Sequence, residues 1–198
     1  MPSRPDISES VIHFTKAASY EAAVEVLLTI VAEGRIAGGA GMIRGGYRCV
    51  CFTEAPLPVV VNGLVNTNSF SRYAPFGLMF SKRWLYERGG RPVIYQADAE
   101  YHLLPEEARW RHVRYEPSSV PPIDFTWERE WRLQCDQLQF AAPEVALVVP
   151  DSHWKDFIFG IWNSQQQLEA EAYSVVLDHL ILEQLQEPCP WRVVPLAT

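Results

Sequence analysis

The chain has no run of about 18 apolar residues, so its sequence pattern holds no candidate membrane-spanning helix. The opening stretch, Met1 to Asp6, lacks the apolar centre of a secretory signal. Positive charge is in short supply: 17 Lys and Arg stand against 24 Asp and Glu, a net charge of -7. That balance argues against broad, non-specific binding to nucleic acid or to an anionic membrane. It leaves room for a local basic groove, since Lys82, Arg83, Arg88 and Arg91 cluster in one stretch and Arg109, Arg111 and Arg114 in another. Cysteine is sparse, and Cys49, Cys51, Cys135 and Cys189 never fall at the C-x-x-C spacing of a zinc site. No metal is therefore expected, and reduced thiols point to the cytoplasm. The glycine-rich stretch from Gly38 to Gly46 has no Lys or Ser in P-loop position, so it is not a nucleotide-triphosphate motif. Internal repeats and low-complexity segments are also missing.

What is present fits a single domain of 198 residues with 48% hydrophobic residues. Fifteen prolines and 12% aromatics favour short strands and many turns. Strands are expected at 10–15, 48–53, 76–81, 92–96, 137–140 and 145–149, with a last edge strand at 189–196. Helices are expected at 20–33 (capped by Ser19 and stopped by Gly34), 56–65, 82–88 and 97–109, the last with a break at Pro105. Asp151 should cap a helix to about Ile161, and a longer amphipathic helix should run from Ser164 to Gln186. There His179 reads as an ordinary boundary residue. Cys49 and Cys51 should share one face of their strand as small core residues. The order of elements suggests an α+β domain rather than a regular βαβ winding.

The most informative segment is Trp127-Glu128-Arg129-Glu130-Trp131-Arg132. As a strand it would set Trp127, Arg129, Trp131 and Leu133 on one face. Glu128, Glu130, Arg132 and Gln134 would occupy the other. Two readings of that charged face stay open: a solvated charge ladder, or a pair of catalytic carboxylates lining a cleft.

Three further pieces align with it: His13-Phe14-Thr15, Cys49 to Glu54 running into Ala55-Pro56-Leu57, and Tyr73 to Phe80. In this order the motifs resemble the AbiGi-like abortive-infection proteins. Those in turn are similar to the ADP-ribosyltransferase superfamily, including DarT-type toxins. The resemblance spans about residues 10–150, with a helical segment from about 151 to 187 behind it. It implies a split mixed β-sheet with flanking helices and a C-terminal helix. It implies NAD as substrate, with His13 and Thr15 on the adenosine-side ribose and phosphates and Phe52 and Thr53 on the second strand. Tyr73, or failing that Tyr95, would stack on nicotinamide. Glu130 would be the catalytic carboxylate and Glu128 would face the acceptor, with residues 116–125 as the target-recognition loop. Thr53-Glu54 stands where a Ser-Thr-Ser run is usual.

The chemistry suits those residue types. Cleaving the nicotinamide–ribose bond develops positive charge on the ribose, and a fixed carboxylate stabilises that charge where it forms. A second carboxylate can take a proton from the nucleophile. Arg132 could hold Glu130 ionised, or instead grip a diphosphate. The expected role is a toxin or phage-defence effector that modifies nucleic acid or protein. Two other roles fit the same pattern: a non-catalytic antitoxin or defence-complex subunit, and an NAD glycohydrolase.

Overall fold

In a computed structural model, residues 6–61, 73–173 and 187–197 are described. The chain folds as β1 (Ser10–Phe14), α1 (Tyr20–Glu33), β2 (Arg35–Ala37), β3 (Cys49–Thr53) and the short turn α2 (Leu57–Val59). It continues as β4 (Gly77–Ser81), α3 (Lys82–Glu87), β5 (Arg91–Pro92), β6 (Ile94–Gln96) and β7 (His112–Arg114). Then follow β8 (Glu130–Gln134), β9 (Gln137–Gln139), β10 (Val145–Val149), α4 (Ser152–Tyr173) and β11 (Arg192–Pro195). Seven strands form the main sheet in the order β11-β10-β4-β1-β3-β8-β5, antiparallel except for the β10–β11 pair. Two small sheets, β2-β9 and β6-β7, flank it.

Alternation of side chains gives the main sheet two different faces. Val11, Val50, Phe52, Leu78, Phe80, Trp131, Leu133 and Leu147 belong to the principal core. Helix α1 covers that core with Ala23, Val24, Leu27 and Val31, the spacing of one helical face. The helix begins where the Ser19 side chain accepts from Ala22 N–H at 3.2 Å. It ends at Gly34, whose φ of 61° is the left-handed cap that glycine adopts without a Cβ penalty. The opposite face carries Ile12, Phe14 and Ala55, and over β3 and β8 it carries Cys51, Thr53, Glu130 and Arg132.

Strands β1 and β3 pair in register at one position, Ile12 with Thr53. The sheet therefore has two well-paired halves, β11-β10-β4-β1 and β3-β8-β5, that part just beyond that pair. This opening matters for the site, because His13 follows Ile12.

Several elements differ from expectation. Strand β8 starts only at Glu130: residues Thr126–Glu128 form a 3-10 turn and Arg129 is left-handed at φ 44°. The predicted strand 92–96 is two strands in different sheets, interrupted at Val93. The helical segment 97–109 breaks at Pro105 as expected, since proline cannot donate to a continuing helix, but its two parts, Asp98–Leu103 and Glu106–Arg111, are 3-10. Of the helix expected over 56–65, Leu57–Val59 forms α2, Val60 and Val61 continue it as a π turn, and residues 62–65 lie outside the described residues. Asp151 does accept from Trp154 N–H at 3.2 Å. Its helix then runs unbroken to Tyr173, with Leu168 65% exposed instead of packed. His179 and the remainder of the predicted amphipathic helix fall outside the described residues. Strands β2 and β7 had no sequence signal strong enough to expect them, since each is a three-residue segment fixed by its partner. With β11 paired to β10, the sheet extends past the 10–150 core.

Strand β4 comes close to β1 at Gly77, where a Cβ would lie 2.6 Å from His13 O and 3.1 Å from Phe14 Cδ1. Gly77→Ala must push β1 away, and overpacking of this kind costs about 1–3 kcal/mol. Urea unfolding should show a lowered midpoint with an unchanged m-value. An unaltered midpoint would mean β1 shifts at no cost.

Candidate active site

A cavity of about 880 Å³ opens over the β3–β8 half of the sheet. Its floor is Cys51, Thr53, Glu130 and Arg132; its walls include His13 and Tyr73 on one side and His112 to Arg114 on the other. Gly41 to Arg44, from the glycine-rich loop, and Phe125 border it. The two acidic residues of the Glu-x-Glu motif both line it, but not by strand alternation. The left-handed Arg129 between them turns the chain, so that Glu128 arrives from the 3-10 turn and Glu130 from the strand. Thr53 fixes that turn by donating its hydroxyl to Glu128 O at 2.6 Å, while accepting from Ala55 N–H at 3.1 Å. The buried hydroxyl is thus spent on backbone. The Glu128 carboxylate accepts from the Tyr73 hydroxyl at 3.3 Å.

Glu130 is held from two sides. Arg132 donates to it in a two-pronged fork, Nε to Oε1 at 2.8 Å and Nη2 to Oε2 at 3.1 Å. The Glu130 N–H donates to the Tyr95 hydroxyl at 3.2 Å, and that hydroxyl donates to Phe125 O at 3.2 Å. Tyr95, the second choice for a stacking ring, is therefore a brace beneath the motif. Arg132 is 4% exposed, and its Nη1 donates to the carbonyls of Trp110 and His112, both at 2.9 Å. Burial works against the guanidinium charge, but the Glu130 hydrogen bonds and field outweigh it and raise the Arg132 pKa. With four of its five N–H groups used inside the protein, Arg132 positions Glu130 and has little left for a diphosphate. A solvated charge ladder does not describe this face: the Glu130 and Arg132 side chains are only 13% and 5% exposed.

His13 sits where β1 and β3 part, its Nδ1 2.8 Å from Cys51 O. A carbonyl only accepts, so Nδ1 carries the proton and a neutral ring offers Nε2 as an acceptor. Burial pushes the His13 pKa down; the Cys51 bond opposes this and the Lys16 charge adds to it. Phe52 braces the ring edge-on from the core, with centroids 5.8 Å apart. Thr15 is not on the cavity wall: its buried hydroxyl donates to Phe76 O at 3.0 Å. Cys51 lines the cavity, but burial and the nearby Glu130 carboxylate push its thiol pKa well up, so it is no nucleophile at neutral pH.

Sequence reasoning missed Lys16, Arg44, Asp98 and His112 on the cavity wall. Lys16 lies over the Tyr73 ring at 5.3 Å, and Arg44 pairs with Asp98 while covering Tyr101 at 4.2 Å. Nothing periodic marks these residues, and the glycine-rich loop carried only a signal for flexibility. Among the described residues, no trio of His, Cys, Asp or Glu is arranged to hold a metal, and no helix is long and apolar enough to cross a membrane. Comparison with protein families, curated proteins and solved structures gave no match for this chain.

Two outcomes follow for the site. Arg132→Met strands the Glu130 carboxylate, and breaking a buried pair in this way costs about 3–5 kcal/mol. Denaturant unfolding should register a loss of that size, with Arg132→Lys recovering only part because an ammonium cannot fork; a loss near zero would make the pair dispensable. The depressed His13 pKa sets a pH dependence. Below the ordinary imidazole value of 6.5, the unfolded chain takes up a proton that the folded chain resists. Stability should therefore be full above that pH and fall as pH drops toward the lowered folded value. His13→Gln should flatten this segment of a stability-versus-pH curve, and an identical slope in the variant would assign it to another group.

Proposed function

We propose that this chain is an NAD-dependent ADP-ribosyltransferase, an effector of the toxin or phage-defence type. The observation that carries the reading is the meeting of Glu128, Glu130, His13 and Tyr73 in one cavity. A volume near 880 Å³ lies within the roughly 300–1,000 Å³ of ligand pockets, which supports a ligand of dinucleotide size.

The chain's residues divide the work as follows. His13 Nε2 accepts from a ribose hydroxyl. The Tyr73 ring flanks the nicotinamide. Each Glu130 oxygen keeps a lone pair not taken by Arg132, and these accept from the 2'-hydroxyl of the reacting ribose. The carboxylate then faces the positive charge that grows as the nicotinamide–ribose bond breaks and its electron pair leaves with nicotinamide. Glu128 takes the proton from the acceptor as the new bond to the ribose forms. The loop from Glu116 to Phe125, pinned by the Glu116–Ile123 bridge, reaches the cavity through Ile123 and Phe125 and is suited to face the acceptor.

One observation favours a second reading, a non-catalytic subunit of an antitoxin or defence complex. Both Glu130 oxygens already accept from Arg132, as a purely structural pair would. Incubation with NAD labelled on the adenylate, in separate pools of DNA, RNA and lysate protein, separates the two. Wild type should label one pool, and Glu130→Gln should cut that labelling by about 10²–10³-fold, the scale of losing one electrostatic stabiliser. Glu128→Gln should lower transfer more than nicotinamide release. Undiminished transfer by Glu130→Gln would sink the mechanism. Release without labelling would make the protein a glycohydrolase, and neither release nor labelling would leave the binding subunit.

A further inference from the structure

Segments 82–91 and 109–114 carry seven cations and one carboxylate, in a chain of net charge -7. The fold brings them together at β5, the outermost strand of the main sheet. Four of the seven are neutralised: Lys82 pairs with Glu54, Arg83 with Glu87, Arg88 with Glu144 and Arg114 with Glu116. Arg91, Arg109 and Arg111 have no acidic partner within ion-pair distance among the described residues; Arg109 turns to Leu104 O, which leaves Arg91 and Arg111 together at β5. Both are nevertheless fixed. Arg91 donates from Nη1 to the carbonyls of Tyr86 and Gly90 at 2.9 and 2.7 Å, and lies 4.0 Å over the Tyr86 ring. Arg111 donates from Nε to Pro92 O at 2.9 Å, one residue along from Arg91. Burial lowers the Arg111 pKa and the Arg91 charge lowers it further, so the two guanidiniums feel each other.

Two like charges anchored side by side without a counter-charge are unfavourable in the free protein, and an anion relieves that cost. We propose that Arg91 and Arg111 form a phosphate clamp for a nucleic-acid strand. Their remaining N–H groups suit phosphodiester oxygens. Tyr86, 53% exposed, supplies an aromatic surface beside them, the pairing that single-strand binders use. In the sheet register Arg91 stands opposite Arg132, so a clamped strand lies next to the cavity. Naming nucleic acid as the acceptor rests on the transferase reading; the clamp itself does not.

The test is fluorescence anisotropy without NAD, using labelled single-stranded DNA and RNA of about 20 nucleotides, longer than most single-module footprints. Salt is varied from about 50 to 200 mM. Wild type should bind at least one of the two. Arg91→Gln/Arg111→Gln should bind at least ~10-fold more weakly, with a salt slope shallower by about 1.4, the value for two single-strand phosphates. Arg91→Lys/Arg111→Lys should keep the slope and lose part of the affinity, and circular dichroism should show all variants folded. The assay contains no NAD, so its outcome separates failure of the clamp from failure of the chemistry. Equal affinity and slope in the double Gln variant would overturn the clamp. So would a wild type that binds neither strand, including one whose melting midpoint shifts with inorganic pyrophosphate alone.

Discussion

A buried guanidinium holds the cavity together. Arg132 projects from β8, forks onto Glu130 in the same strand, and donates to the carbonyls of Trp110 and His112. The last two bonds tie the main sheet to the chain that enters β7, and β7 with its neighbours is one wall of the cavity. Removing two charges from water is costly, and it is offset only when geometry and hydrogen bonding are nearly complete. Here the donors are almost all used, so the pair fixes a wall, a floor and a carboxylate in a single arrangement.

The second constraint is backbone conformation at Arg129. A non-glycine residue at φ 44° is rare, and it persists only where its surroundings enforce it. Those surroundings are visible: Arg129 O accepts from Glu54 N–H, its side chain reaches Asp6 O, and Thr53 holds the carbonyl of Glu128. The turn delivers two carboxylates to one cavity from two different kinds of backbone. Tyr95 and Tyr73 then divide the support between them, one beneath the Glu130 amide and one on the Glu128 carboxylate. Catalysis by positioned charge depends on such prior fixation, because no reorganisation is then needed as charge develops.

The charge distribution connects the cavity to the sheet edge. The acidic total keeps most of the surface unattractive to polyanions, while the β5 edge holds Arg91 and Arg111 together without an acidic partner among the described residues. A strand held at that edge would be positioned beside the Glu-x-Glu motif by electrostatics rather than by shape. Under the proposed transferase reading, selectivity for a nucleic-acid acceptor would then arise in a protein whose overall charge disfavours it.

Local signals in the sequence were enough for some elements. Ser19, the 23-27-31 spacing and Gly34 define α1 because capping and helical periodicity act within one turn. The apolar run Val145–Val149 and the alternation in Cys49–Thr53 define buried strands for the same reason, and the Glu-x-Glu carboxylates were legible as a pair. Only tertiary structure decided how that pair reaches the cavity, since a left-handed residue at Arg129 is imposed by Glu54 and Thr53 from another strand. It also decided that Thr15, Thr53 and Tyr95 spend their hydroxyls on backbone, and that Lys16, Arg44, Asp98 and His112 join the wall. Those roles depend on contacts between residues far apart in the chain, and no local periodicity encodes them.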